Sequence, residues 1–131
     1  MGTKIKQGIY LLILLLIYSK TISQNKVVDV KKYAFNKCII YNYQKIDSTF
    51  YKNYKDASGV QISVNGNFIE DDILKTKIID FTINVTGLYY SLQNNLHFET
   101  GDKNIIFCNC FDFYESKELN NFVKKVLKDS K

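Results

Sequence analysis

The 131-residue chain has no arginine, no proline and no tryptophan, a single histidine and three cysteines. Each scarcity removes a class of function. Without arginine, and with its lysines scattered along the sequence, the chain offers no basic stripe of the kind that tracks a phosphate backbone, so nucleic acid is not an expected partner. A structural zinc site usually draws four Cys or His ligands from paired spacings. Here there is no Cys-x-x-Cys pair, and a metal site would have to consume all three cysteines and the one histidine, so neither a metal nor another cofactor is expected. The missing proline accompanies an abundance of Asn, Lys, Ile and Tyr, which points to an AT-rich coding bias. No linker, repeat or low-complexity tract divides the sequence.

Long hydrophobic runs are also lacking, with one exception at the N-terminus. Lys4 and Lys6 precede the apolar stretch Ile9 to Tyr18 (IYLLILLLIY), and Thr21-Ile22-Ser23 places small residues where a signal peptidase reads. The stretch is short for a spanning helix, which needs roughly 20 residues. Residues 1–23 therefore read as a secretory signal peptide, with Gln24 the first mature residue and no stable membrane anchor after cleavage. No cysteine directly follows the run, so a lipid-modified N-terminus is not expected. Residues 24–131 would form a single domain of 108 residues, carrying 15 lysines against 13 acids for a net charge of +2. That length can bury a modest core.

Periodicity sets the expected fold class. From Asn25 to about Ile46, Val27, Val30, Ala34, Cys38 and Tyr41 recur at steps of three and four, with Phe35 and Ile39 widening the stripe. This is the pattern of an amphipathic helix. Asp47 or Ser48 can cap a short turn, and Asp56-Ala57-Ser58 can open another helix. Residues 59–69 (GVQISVNGNFI) conflict with this trend. Val60, Ile62 and Val64 alternate with polar residues and run into Asn65-Gly66, a hairpin signal.

Residues 70–92 carry both periods. The length of the pattern and its acidic start, Glu70-Asp71-Asp72, favour one long helix over a strand. Asn65-Gly66 would then close the preceding helix. A polar loop runs from Gln93 to Asp102. Beyond it, Ile106, Cys110, Phe113 and Tyr114 can share a helical face. Ser116 caps a final helix bearing Leu119, Phe122, Val123, Val126 and Leu127, with Lys124, Lys125 and Lys128 near its C-terminal end. The expectation is an all-α fold, a small helical bundle with an irregular or short hairpin segment near 59–69 as the open alternative.

The cysteines then have few uses. A disulfide within Cys108-Asn109-Cys110 would close a very tight ring. A nucleophilic cysteine needs a base in hydrogen-bond reach, and the only histidine, His97, lies in the polar loop with no evident orienting residue. No catalytic residue is therefore assigned, and an extracytoplasmic cysteine hydrolase is the weakest reading. In an oxidising compartment the remaining option is a structural disulfide between Cys38 and one of the other two. Cys110 is the better-placed partner, because it shares the face of Ile106 and Tyr114 while Cys108 is turned away.

Cys110-Phe111-Asp112-Phe113-Tyr114-Glu115-Ser116-Lys117-Glu118-Leu119 resembles the C-terminal signature of the type VI secretion system amidase immunity proteins, the family paired with the fourth class of type VI amidase effectors. In that signature a Cys, an apolar residue, an Asp, a second apolar residue, an aromatic and Ser-x-x-Leu precede the closing helix. Tyr33-Ala34-Phe35-Asn36-Lys37-Cys38 is similar to the family's first-helix cysteine, and Lys55-Asp56-Ala57-Ser58 to its second-helix opening. The similarity spans about residues 27–128. Cys108 looks like an extra, and the Val60-Ile62-Val64 alternation departs from a helical family.

The resemblance implies a mostly helical periplasmic protein, often dimeric, that binds and blocks a peptidoglycan cysteine amidase and catalyses nothing itself. The alternative is an exported binding or structural protein of another kind. A narrow catalytic cleft is blocked most directly by a projecting loop. Asn95, Leu96, His97, Phe98 and Glu99 are the first choice for that loop, and Asn65, Gly66, Asn67 and Phe68 the second.

Overall fold

The computed structural model describes residues 25–65, 71–92 and 103–129. Among these residues there are helices and no strands. The first helix, α1, occupies residues 25–46. It is followed by α2 (Phe50–Tyr54), α3 (Ser58–Asn65), α4 (Asp72–Thr86), a 3₁₀ turn (Tyr89–Ser91), α5 (Ile106–Glu115) and α6 (Lys117–Asp129). The expected all-α bundle is the fold observed.

The boundaries follow from local chemistry. Asp71 sits in extended conformation, and its carboxylate accepts the N–H groups of Ile73 and Leu74, two of the donors that a helix start leaves unpaired. Ser116 Oγ accepts the N–H of Leu119 at 3.1 Å and so caps α6, as its position ahead of Glu118 predicts. Asp47 accepts from the backbone and hydroxyl of Thr49, and Asp56 does the same for Ser58, opening α2 and α3. Between those helices Lys55 takes a left-handed backbone, φ 49°.

The core is one cluster drawn from four helices. Val30, Tyr33, Ala34 and Cys38 come from α1, and Leu74 and Ile78 from α4. Ile106, Cys110 and Phe113 come from α5, and Leu119, Val123 and Val126 from α6. α5 runs antiparallel to α1, since Lys31 meets Tyr114 near one end and Cys38 meets Cys110 further along. Phe81 of α4 stacks on Phe122 of α6 with ring centroids 3.8 Å apart, and lies 6.3 Å from Phe113 of α5.

One open alternative is decided in favour of the preferred helix, and one expectation is corrected. The alternating segment is helical as far as Asn65, where α3 ends, so the hairpin alternative fails over 59–65. Successive helical residues turn by about 100°, so Ile62, two residues on from Val60, faces nearly the opposite side of the axis. Ile62 packs on the core while Val60 is exposed. Second, residues 70–92 do not form one helix. α4 ends at Thr86, because Asn42 of α1 inserts its carboxamide where the next helical hydrogen bond would lie. Its Nδ2 donates to the Thr86 carbonyl at 3.0 Å and its Oδ1 accepts the Tyr90 N–H at 2.9 Å. Those two backbone groups would otherwise bond to each other in a continuing helix.

Candidate functional site

Cys38 and Cys110 are bonded, with Cα atoms 5.8 Å apart, and both are fully buried. The pairing expected from the shared faces is therefore the one present. Cys108 is a free, exposed thiol. Gly66, Asn67 and Phe68, and the whole of Asn95 to Glu99 with His97, lie outside the described residues. Asn65 is the last residue of α3. The described flanks of the 93–102 segment converge, however: the 3₁₀ turn before it packs against α5, the helix that begins just after it.

The residues immediately around the disulfide include a cluster of exposed aromatic side chains. Phe107 and Phe111 of α5 are 60% and 44% exposed, high values for side chains of this size. Phe35 of α1 meets Phe107, Phe111 and Tyr114 edge-on, with centroids 5.9, 6.4 and 6.0 Å away. Phe107 stacks along the helix on Phe111, and Phe111 on Tyr114. The ammonium of Lys31 covers the Tyr114 ring at 4.6 Å. The result is a four-ring ridge straddling α1 and α5, a geometry suited to aromatic anchoring of a partner.

The ridge exists because of helical spacing. Phe107, Phe111 and Tyr114 recur at four and three residues and so align on one side of α5. Ile106, Cys110 and Phe113 occupy the adjoining, buried side. Sequence reasoning identified the buried stripe and missed the ridge. Its signal was the excess of aromatics at positions that the core did not need.

Asn42 was missed as well, because an apolar stripe was sought and Asn42 is polar. It is fully buried, and its amide also donates to the Cys38 carbonyl at 3.0 Å. Its signal lay in the spacing, since it sits four residues beyond Cys38. Nearby, Thr82 and Thr86 are fully buried and satisfy their hydroxyls on the carbonyls of Ile78 and Thr82.

Burial shifts several titratable groups among the described residues. Burial raises the Tyr33 phenol above its ordinary range, with Lys75 pulling the other way. Burial lowers the Lys37 ammonium, which lies 5.0 Å from the Tyr33 ring. Tyr89 is raised by burial and, less strongly, by Glu118 and Asp112. No three Cys, His, Asp or Glu among the described residues form a group able to hold a metal ion. No described helix is long and apolar enough to cross a membrane.

Compared with protein-family models, curated proteins and solved structures, the chain has no match.

Proposed function

We propose that this protein is an exported immunity protein that binds and inhibits a type VI secreted peptidoglycan cysteine amidase, protecting the producing cell from its own or sibling toxin. One observation carries the reading: the residues that bear the resemblance are joined in space as well as in sequence. Cys110 is bonded to Cys38 of the first helix, Phe113 and Leu119 are buried in the shared core, and Ser116 caps α6. The disulfide is compatible with an oxidising compartment such as the periplasm.

In this reading the 95–99 loop enters the enzyme's cleft. The aromatic ridge provides a broader contact alongside it, starting at Phe107 in the first turn of α5. A second reading, an exported binding protein with a different target, is favoured by the ridge itself, because its four rings are not residues that the resemblance assigns to recognition.

Periplasmic co-expression with the neighbouring gene's product, where that product is a lytic amidase, tests the proposal. Lysis caused by the amidase alone should be prevented by the intact protein, and the two should co-elute as a complex. Continued lysis in the presence of folded, exported protein would refute the inhibitor reading and leave the second.

A further inference from the structure

The four rings of the ridge lie within about one helical turn of the disulfide. Phe35 is three residues from Cys38, while Phe107, Phe111 and Tyr114 are three, one and four residues from Cys110. The two sides of that bond are held differently. On the α1 side, Asn42 ties the Cys38 carbonyl and the end of α4 together through hydrogen bonds that do not involve α5. On the α5 side, apart from the bond, the hold on α1 is side-chain packing: Ile106 and Phe113 lie in the shared core, Phe35 meets three rings of α5, and Lys31 covers Tyr114.

α5 has 10 residues, its N-cap residue, Ile105, gives no side-chain cap, and the side-chain bond at its start, from the Ile106 N–H to Asn104 Oδ1, is long at 3.3 Å. Helices shorter than roughly 12–15 residues are marginal in water without tertiary support. The side-chain carboxamide nitrogen of Asn109, Nδ2, is buried and has no hydrogen-bond partner among the described residues. By contrast α4 is capped by Asp71, α6 is capped by Ser116, and the two are joined by the Phe81–Phe122 stack.

We infer that the Cys38–Cys110 bond is a redox lock on α5: with the pair present as thiols, α5 separates from α1 and the aromatic ridge comes apart, while α1, α4 and α6 keep their packing. Locking is a thiol–disulfide exchange with an oxidising disulfide carrier. The two cysteines lose two protons and two electrons and join to each other, and the carrier departs as its dithiol. A reducing dithiol reverses the step. The lock's biological use rests on the proposed function, since the chain would lack its ridge in the reducing compartment of synthesis and acquire it after export. The lock itself is a property of the chain alone.

Hydrogen exchange tests it without any partner. The full chain would be compared with its Cys38→Ala/Cys110→Ala form, both carrying Cys108→Ser to prevent disulfide exchange. The expected result is exchange of the α5 amides faster by about tenfold or more beyond any acceleration at the central amides of α4 and α6, which share the global loss of stability. An equal loss of protection in all helices, including outright failure to fold, would overturn the lock and reduce the bond to a general staple. Unchanged protection of α5 would overturn it too. A parallel measurement on the unsubstituted chain, unfolded and refolded in excess dithiol reductant, must give the same selective loss at α5. A uniform loss or none would overturn the lock. Because neither measurement involves the amidase, failure here is distinguishable from failure of the co-expression test.

Discussion

Asn42 is a carboxamide in the interior of α1, and all three of its observed backbone partners are chain groups that a helix or turn would otherwise have to satisfy. Asn42→Leu keeps the volume approximately and removes the bonds. Denaturant titration should show a loss of about 1–3 kcal/mol, the usual cost of leaving buried polar groups unpaired. An unchanged midpoint would show that the Thr86 carbonyl and Tyr90 N–H pair with each other and extend α4 at no net cost. Two aspartates make a pH-dependent contribution. Hydrogen bonds from the side chains and backbones of Thr49 and Ser58 hold the carboxyls of Asp47 and Asp56 below their ordinary value. A folded-state pKa that is depressed contributes stability above the ordinary pKa, and this is lost as pH falls through the folded value. The window is thus below about pH 4. The thermal midpoint should fall more steeply below that pH for the natural chain than for Asp56→Asn, and parallel curves would contradict the assignment.

At the level of the helix, capping residues were the most legible part of the sequence. Asp47, Asp56 and Ser116 act as expected because each works through a side chain reaching two or three residues along the chain, a distance that sequence encodes directly. The end of α4 was not legible, because it is set by Asn42, 44 residues away from Thr86. The helical state of α3 was masked by an alternation that matters only if both faces of a strand exist. In the fold one face is occupied by α1, where a side chain at Gly59 would come within 2.9 Å of Asn36 Oδ1. Lys55 carries a local cost, a left-handed backbone on a residue with a Cβ. Lys55→Gly should stabilise the protein by about 0.5–1 kcal/mol, and Lys55→Val should destabilise it. The reverse order would mean that the lysine side chain makes a contact outweighing its backbone strain.

For the molecule as a whole, the cross-link was readable before the fold because few cysteines left few pairings and helical faces ranked them. The bond spans a sequence separation of 72. In the chain-entropy account, closing a loop of that size stabilises the folded state by about 4 kcal/mol. Cys110→Ser should lose about that amount, whereas Cys108→Ser, at an exposed position, should stay within about 0.5 kcal/mol of the natural chain. Comparable losses would mean that Cys108 also has a structural role. The surface was harder to read than the cross-link, because helical spacing says which residues align but not which side a neighbouring helix leaves open.

That difference decides how the binding surface should be dissected. If the proposed amidase is the target and the loop plugs its cleft, replacing Leu96, His97 and Phe98 together with Ser should cost several kcal/mol of affinity for it. The melting temperature should barely change, provided these side chains have no role in the protein's own core. Phe107→Ser/Phe111→Ser is the matching test for the ridge. The two rings are 60% and 44% exposed, so their removal should disturb folding far less than loss of a buried ring would. If the ridge flanks the loop in the complex, this pair should weaken binding by about 2 kcal/mol, roughly 30-fold, while the enzyme remains fully inhibited at saturating concentration. Undiminished affinity in the ridge variant would confine recognition to the loop. Full affinity in the loop variant, with loss in the ridge variant, would invert the roles and make the aromatic face, not the loop, the element that blocks the enzyme.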